Sequence, residues 1–274
     1  MTPILVLAAK EFRDGLRNRW VAGATILLAA LACVLTFVGS SPTGMLDVAP
    51  LTVTVVSISS LTIFLVPLIA LLLGYDAIVG EAERGCLLLM LTYPVTRTEI
   101  LLGKFLGHAG ILAFATLVGY GGAGLAAALS GSADAESWNA FSGLLLSSVM
   151  LGLSFLGLSY LISTLVAERS TAAGLAVGTW LVFVVVYDLA LMSMLVASKG
   201  AIGASLFPKL LLLNPADVYR LFNLSAFESV RKISGLGGLS ASARFPASIL
   251  LSVLAAWTVL PLVAALAVFK RRTV

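Results

Sequence analysis

Charge is what this 274-residue chain has least of. Only 11% of its residues are Asp, Glu, Lys or Arg, while 60% are hydrophobic and the mean hydropathy is +1.08. That balance excludes a water-soluble globular domain. One histidine and two cysteines extend the shortage. Cys33 falls in an apolar run and Cys86 in a break between runs, so there is neither a disulfide framework nor a zinc-ligand spacing. No G-x-x-x-x-G-K-[ST] phosphate loop and no H-E-x-x-H pair occurs, so the chain has no ATP site of the usual kind. No nucleophile is paired with a base, which argues against a membrane enzyme. The net charge of +4 is scattered over the ends of the apolar runs, so no nucleic-acid partner is expected. The first residues lead into the charged stretch Lys10–Arg19 rather than a small-residue cleavage site, and no cleavable leader is expected.

Six long apolar runs fill the rest: Trp20–Gly39, Leu51–Gly74, Phe105–Ser130, Phe141–Val166, Thr171–Val196 and Phe245–Phe269. About 20 apolar residues in a helix cross the hydrocarbon core. Backbone groups in lipid must be satisfied inside the segment, so each run is predicted helical. The fold class is therefore all-α, a polytopic membrane protein of six spans and one domain over residues 1–274, in contact with membrane lipid. Lys10, Arg13, Arg17 and Arg19 precede the first span. Arg84, Arg97 and Lys104 lie between the second and third, Arg169 between the fourth and fifth, and Lys270, Arg271 and Arg272 after the sixth. Ser40–Pro50 and Gly131–Ala140 contain no Lys or Arg. This asymmetry puts both termini in the cytoplasm of a bacterial inner membrane. The last outer loop, 197–244, carries six basic residues, but long loops weigh little in that rule.

The segment before the first span (residues 1–19) reads as an interfacial helix. Ile4, Leu7, Ala8, Phe12 and Leu16 form an apolar stripe, and Lys10, Arg13, Asp14 and Arg17 take the other face. Residues 75–104 form the most structured break. Pro94 and its threonine neighbours mark a turn, Thr96 or Thr98 is suited to cap the following helix, and two short helices joined by this turn are expected. In the outer loop, Leu206–Leu213 ends at Asn214-Pro215. A helix over Ala216–Phe227 follows, re-entering the outer leaflet, and then the glycine-rich run Ser234–Ser240. Asp188 is the single charge of the fifth span. It lies 19 residues after Arg169, close to a full crossing, which favours a place near the outer headgroups over a transport or gating role. His108, at the start of the third span, reads as a satisfied interfacial residue. Soft Cu(I) wants paired Cys or Met ligands, and Met192 and Met194 do not share a helix face, so direct copper passage and a metal site in this chain are not expected.

The stretch Gly80-Glu81-Ala82-Glu83-Arg84-Gly85, followed by Leu87–Leu91 and Pro94-Val95-Thr96-Arg97, resembles the coupling segment of ABC-2 type permeases. Ala8-Ala9-Lys10-Glu11-Phe12-Arg13-Asp14 and Asn214–Phe222 are similar to other parts of the same family, so the resemblance spans the chain. Tyr75–Glu81, Leu91–Pro94, Leu102–Phe105 and Asn214–Phe222 are similar to the permeases of copper-maturation systems for nitrous oxide reductase. The resemblance implies a homodimer bound to cytosolic ABC ATPase subunits that carry ATP and Mg, no cofactor on this chain itself, and a periplasmic accessory protein. On the residues themselves, an apolar helix in a cytosolic break is suited to fill a groove of such a subunit. Glu81, Glu83, Arg84, Gly85, Leu87, Leu88 and Leu91 are the expected ATPase-coupling residues. Lys209, Arg220, Arg231 and Lys232 are the expected docking residues for the periplasmic partner. An exporter of another substrate, or an ion-coupled secondary transporter, is the competing reading; the latter calls for polar or broken helices at mid-membrane.

Overall fold

The computed structural model describes residues 2–39, 50–130, 135–197, 207–225 and 245–272. Helix α1 (Pro3–Arg17) meets α2 (Arg19–Gly39) at 69°. The corner is Asn18, whose backbone N–H donates back to Gly15 and whose side-chain oxygen accepts the Trp20 N–H at 3.0 Å, closing one helix and opening the next. Then follow α3 (Pro50–Gly74), the short α4 (Val79–Glu83) and α5 (Cys86–Leu91), and the long α6 (Arg97–Ser130) and α7 (Ala135–Leu165). Helix α8 (Arg169–Leu181) passes through a π-helical segment, Val182–Val186, into α9 (Tyr187–Ala197). Two shorter helices, α10 (Phe207–Leu211) and α11 (Pro215–Ser225), precede α12 (Ala247–Arg271). Among the described residues there is no strand. Five helical stretches among the described residues are long and apolar enough to cross a membrane, six when the bent α1–α2 pair is counted as one span.

Helix α7 is the axis of the bundle, packed along α3 and α12 and reaching α6, α8 and α11. In a lipid solvent, close approach and polar contacts must replace the hydrophobic drive between helices. The serines of α7 supply the contacts: Ser154 donates to the Leu254 carbonyl at 3.0 Å and Ser159 to that of Leu71 at 2.7 Å. Gly157 supplies the approach, since a Cβ there would stand 2.9 Å from the Thr258 carbonyl oxygen. Leu151, Phe155, Leu156 and Tyr160 of the same helix are wholly buried.

Helix α1 lies against α6 in the same way. A Cβ at Gly103 would come within 2.6 Å of the Leu7 Cβ, and one at Gly107 within 2.5 Å of the Glu11 Cβ. The apolar stripe of α1 is thus split. Leu7 and Phe12 pack on α6, whereas Leu16, on the expected stripe, is exposed together with Leu5 and Val6.

Helix α6 begins at Arg97, beside the expected Thr96 cap and two turns before its apolar run, with Lys104 buried inside it. One local expectation is corrected. The two short helices are not joined by the Pro94 turn. Both precede it and meet at Gly85, whose φ of +71° is the left-handed conformation that side chains disfavour. Helix α11 starts at Pro215 and is described as far as Ser225, and the glycine-rich run lies outside the described residues.

Candidate functional site

The end of the bundle that carries α1 and α5 is organised around one cation. The close α1–α6 contact brings Lys104, one residue on from Gly103, up to α1. The Lys104 side chain is 3% exposed, with Nζ 2.8 Å from Glu11 Oε1 and 2.6 Å from Glu81 Oε1. One ammonium therefore joins α1, α4 and α6. Burial alone would raise the Glu11 carboxyl, but Lys104 beside it, with Lys10 and His108, holds it below the usual carboxylate value. A depressed carboxylate contributes stability above its unfolded value and loses it as pH falls through its folded value, so this ion pair is intact at neutral pH and fails only in acid. His108, its side chain 12% exposed and its Nε2 3.8 Å from Glu11 Oε2, shares a 2.8 Å hydrogen bond between Nδ1 and the Tyr160 hydroxyl.

Helix α4 is fixed from the α7 side. Ser163 Oγ accepts the N–H groups of Ile78 and Val79 at 3.0 and 3.1 Å, serving two donors at the start of α4. Gly80 has no room for a Cβ, which would stand 1.9 Å from Asp76 Oδ1. That carboxylate lies 3.0 Å from Arg169 Nε and 3.8 Å from Arg84 Nη1. Glu83 accepts the Arg169 backbone N–H at 2.6 Å, where α8 begins. Each charge of the stretch thus has a tie within the bundle, Glu81 to Lys104, Glu83 to α8 and Arg84 across to Asp76, while Glu83 and Arg84 stay exposed.

Helix α5 has two faces. Leu87 is completely buried, Met90 and Leu91 are packed on the core, and Leu88 and Leu89 are 54% and 66% exposed. Beyond it, Thr96 caps α6 in a reciprocal capping box: Glu99 Oε2 accepts the Thr96 N–H at 2.8 Å, and Thr96 Oγ1 accepts the Glu99 N–H at 3.2 Å. Arg97 then clamps the end of α12, donating to the Phe269 carbonyl at 2.8 Å and to the Arg272 carbonyl, with its guanidinium 5.7 Å from the Phe269 ring centroid. Carbonyls at a helix C-terminus lack partners of their own, and a cation there is favoured.

At the opposite end, Asp188 of α9 is not alone. Arg220 Nη2 donates to it at 2.8 Å, and Nη1 donates to Asp217 at 2.9 Å. Asn214 donates to Asp217 and to the Phe183 carbonyl in the π segment, where the backbone ladder is irregular. Burial and the nearby Asp188 carboxylate push Asp217 above its ordinary value, with Arg220 and Asn214 opposing. The Asn214–Arg220 motif therefore ties α11 to the α8–α9 helix. Arg220, expected to be free for a partner, is already committed to two carboxylates. Lys209 is exposed on α10, while Arg231 and Lys232 lie outside the described residues. Arg220→Ala is expected to lower stability by about 1–3 kcal/mol, read by thermal unfolding in detergent, with part of the loss recovered when Asp217→Asn is added. An unchanged unfolding curve would remove this network from the account of the fold.

Glu81, Glu83, Arg84, Gly85 and Leu87–Leu91 thus come together around α4 and α5, but with their roles divided between inward ties and one exposed apolar edge. Lys104, Glu11, Asp76, Ser163 and Arg97 do as much to hold the site and were not singled out from sequence. A lysine between glycines at 103 and 107 was the available signal.

An amphipathic lead helix, a bundle of long apolar helices and a short-helix segment between the second and third of them define a polytopic all-α membrane protein. The chain belongs to the ABC-2 family of transporter proteins, whose pattern matches residues 5–274. It is 47% identical over 274 residues to a probable ABC transporter permease protein NosY of Stutzerimonas stutzeri, covering 99% of each chain. It is 46% identical over 276 residues to the protein of the same description from Pseudomonas aeruginosa, covering 100% of each.

Proposed function

We propose that this chain is the membrane subunit through which a separate cytosolic ABC ATPase drives conformational work, as a homodimer in the bacterial inner membrane with both termini in the cytoplasm. The observation that carries this reading is the division of α5. Its root is locked by Leu87, Gly85 and the α4 ties, while Leu88, Leu89 and the equally exposed Tyr93 point away from the bundle. An apolar edge on a rigid mount is suited to a groove in another subunit. A push on it is transmitted through α4 and Glu81 to Lys104, and from there to α1 and α6 together. ATP and Mg belong to the ATPase subunit in this reading, and the chain itself is not an enzyme.

The more specific reading is service in copper-site maturation of nitrous oxide reductase, with a periplasmic accessory protein docking on the loop between α9 and α12 through Lys209, Arg231 and Lys232. The sequence resemblance of Tyr75–Glu81 and Asn214–Phe222 supports it, and so does the similarity to the two proteins described as NosY. The test of the coupled function is co-purification of the ATPase with the permease, alongside assay of copper loading in the enzyme. Topology is checked separately by reporter fusions at Val274 and within residues 134–139. The two sites are expected on opposite sides, and finding them on the same side would sink this orientation.

A further inference from the structure

A cavity of about 550 Å³ opens beside the Lys104 cluster, between the α1–α2 corner and the adjoining ends of α3 and α6. Its size falls within the range of clefts that hold small ligands. One wall is apolar, made by Val21, Leu72, Leu73 and Ile111. The other carries charges of both signs. Glu81 gives Oε1 to Lys104, but its Oε2 is buried with no donor. Arg84 and Arg169, both half-exposed, share the carboxylate of Asp76, and Arg169 also hydrogen-bonds the Tyr75 side chain. Trp20 stands at the rim with its side chain half exposed, as indoles do at the headgroup level of a bilayer. A buried carboxylate oxygen calls for a donor, and two guanidinia with one carboxylate between them have capacity left for an oxyanion. The apolar wall calls for hydrocarbon.

From this geometry we infer that the cavity binds the headgroup of an aminophospholipid, with a primary ammonium on Glu81, a phosphate on Arg84 and Arg169, and the acyl chains leaving along Leu72, Leu73 and Ile111. The occupant couples the lipid to the joint between α1, α4 and α6. The inference stands on the cavity itself and holds whether or not α5 meets an ATPase.

The experiment uses the full-length chain, delipidated in detergent, with lipid binding measured by native mass spectrometry and by the shift in thermal unfolding. Phosphatidylethanolamine, phosphatidylcholine and phosphatidylglycerol of matched acyl chains are compared, together with soluble phosphoethanolamine. Phosphatidylethanolamine is expected to bind at least about tenfold tighter than phosphatidylcholine, whose nitrogen has no N–H to donate, and than phosphatidylglycerol, which has no ammonium. Arg84→Gln with Arg169→Gln is expected to weaken all three lipids about tenfold, since each carries the phosphate, Glu81→Gln to erase the preference for phosphatidylethanolamine, and Leu73→Trp, which fills the cavity, to abolish retention. Equal binding of phosphatidylcholine or phosphatidylglycerol would overturn the headgroup assignment. Undiminished affinity in the double arginine variant, or an undiminished preference in Glu81→Gln, would place the lipid elsewhere, even if Leu73→Trp fails to fold. Tight binding of soluble phosphoethanolamine alone would show that the occupant is not a lipid.

Discussion

Lys104→Met will cost the permease about 3–5 kcal/mol of stability, as removal of one partner from a buried ion pair typically does. The size follows from what is left behind. Glu11 and Glu81 are largely sequestered from water, with side chains 11% and 13% exposed, and both lean on the same ammonium. Methionine fills the aliphatic volume and leaves two carboxylates facing a neutral side chain, so they must take up protons or separate. Separation means that α1 lifts from α6 or α4 lifts from both. Adding Glu11→Gln and Glu81→Gln to the lysine variant is expected to recover most of the stability, because a buried network replaced as a whole is often nearly neutral. Under the proposed function, recovered stability without recovered coupling to the ATPase would identify the charges as part of the transmission rather than of the scaffold. Thermal unfolding of the two variants in the same detergent decides the first point. A Lys104→Met protein as stable as wild type would mean that the three helices are held by their glycine contacts alone.

Much of the architecture was legible from the apolar runs. Trp20–Gly39 against the observed Arg19–Gly39, and Leu51–Gly74 against Pro50–Gly74, agree because a span must match the hydrocarbon thickness and charges mark its ends. The capping signal at Thr96 marked the start of α6, but the same rule began its apolar run only at Phe105. It treats a lysine as a boundary, and it has no means of seeing that Lys104 carries its own counter-ions from residues 11 and 81. Long-range pairing also explains Asp188. Its partner lies 32 residues further on in the chain, beyond the reach of a span-by-span reading. Glycine spacing was the missed signal in both the α1–α6 and α7–α12 contacts. Gly103, Gly107 and Gly157 look like helix weaknesses in a propensity reading, yet each sits where another backbone or Cβ passes too close for any side chain. The acidic stretch 80–85 was recognised as a unit, but its direction was not. Periodicity over five residues cannot say that Glu81 turns inward while Leu88 turns out.

Leu88→Asp and Leu89→Asp will each release the ATPase while leaving the permease folded. Both side chains are more than half exposed in the free chain, so a carboxylate there costs little in the bundle itself. In the assembled complex each leucine would be buried, which is worth roughly 1.5–3 kcal/mol per side chain, equivalent to about 10- to 150-fold in affinity. Leu87→Ala is the contrasting variant. Leu87 is wholly buried in the permease core, so its truncation should lower thermal stability by about 2–5 kcal/mol and affect the ATPase only through that loss. Glu83→Ala removes the acceptor of the Arg169 backbone N–H, a tie within the permease, and is expected to keep most of the complex while loosening α4 from α8. Each variant is scored twice, by ATPase occupancy on co-purification and by the unfolding midpoint of the permease. The pattern expected is low occupancy with normal stability for residues 88 and 89, and the reverse for residue 87. Wild-type occupancy in both aspartate variants would show that the exposed edge of α5 is not the seat of the ATPase, since no groove lined for leucine tolerates two such charges in turn without a measurable loss.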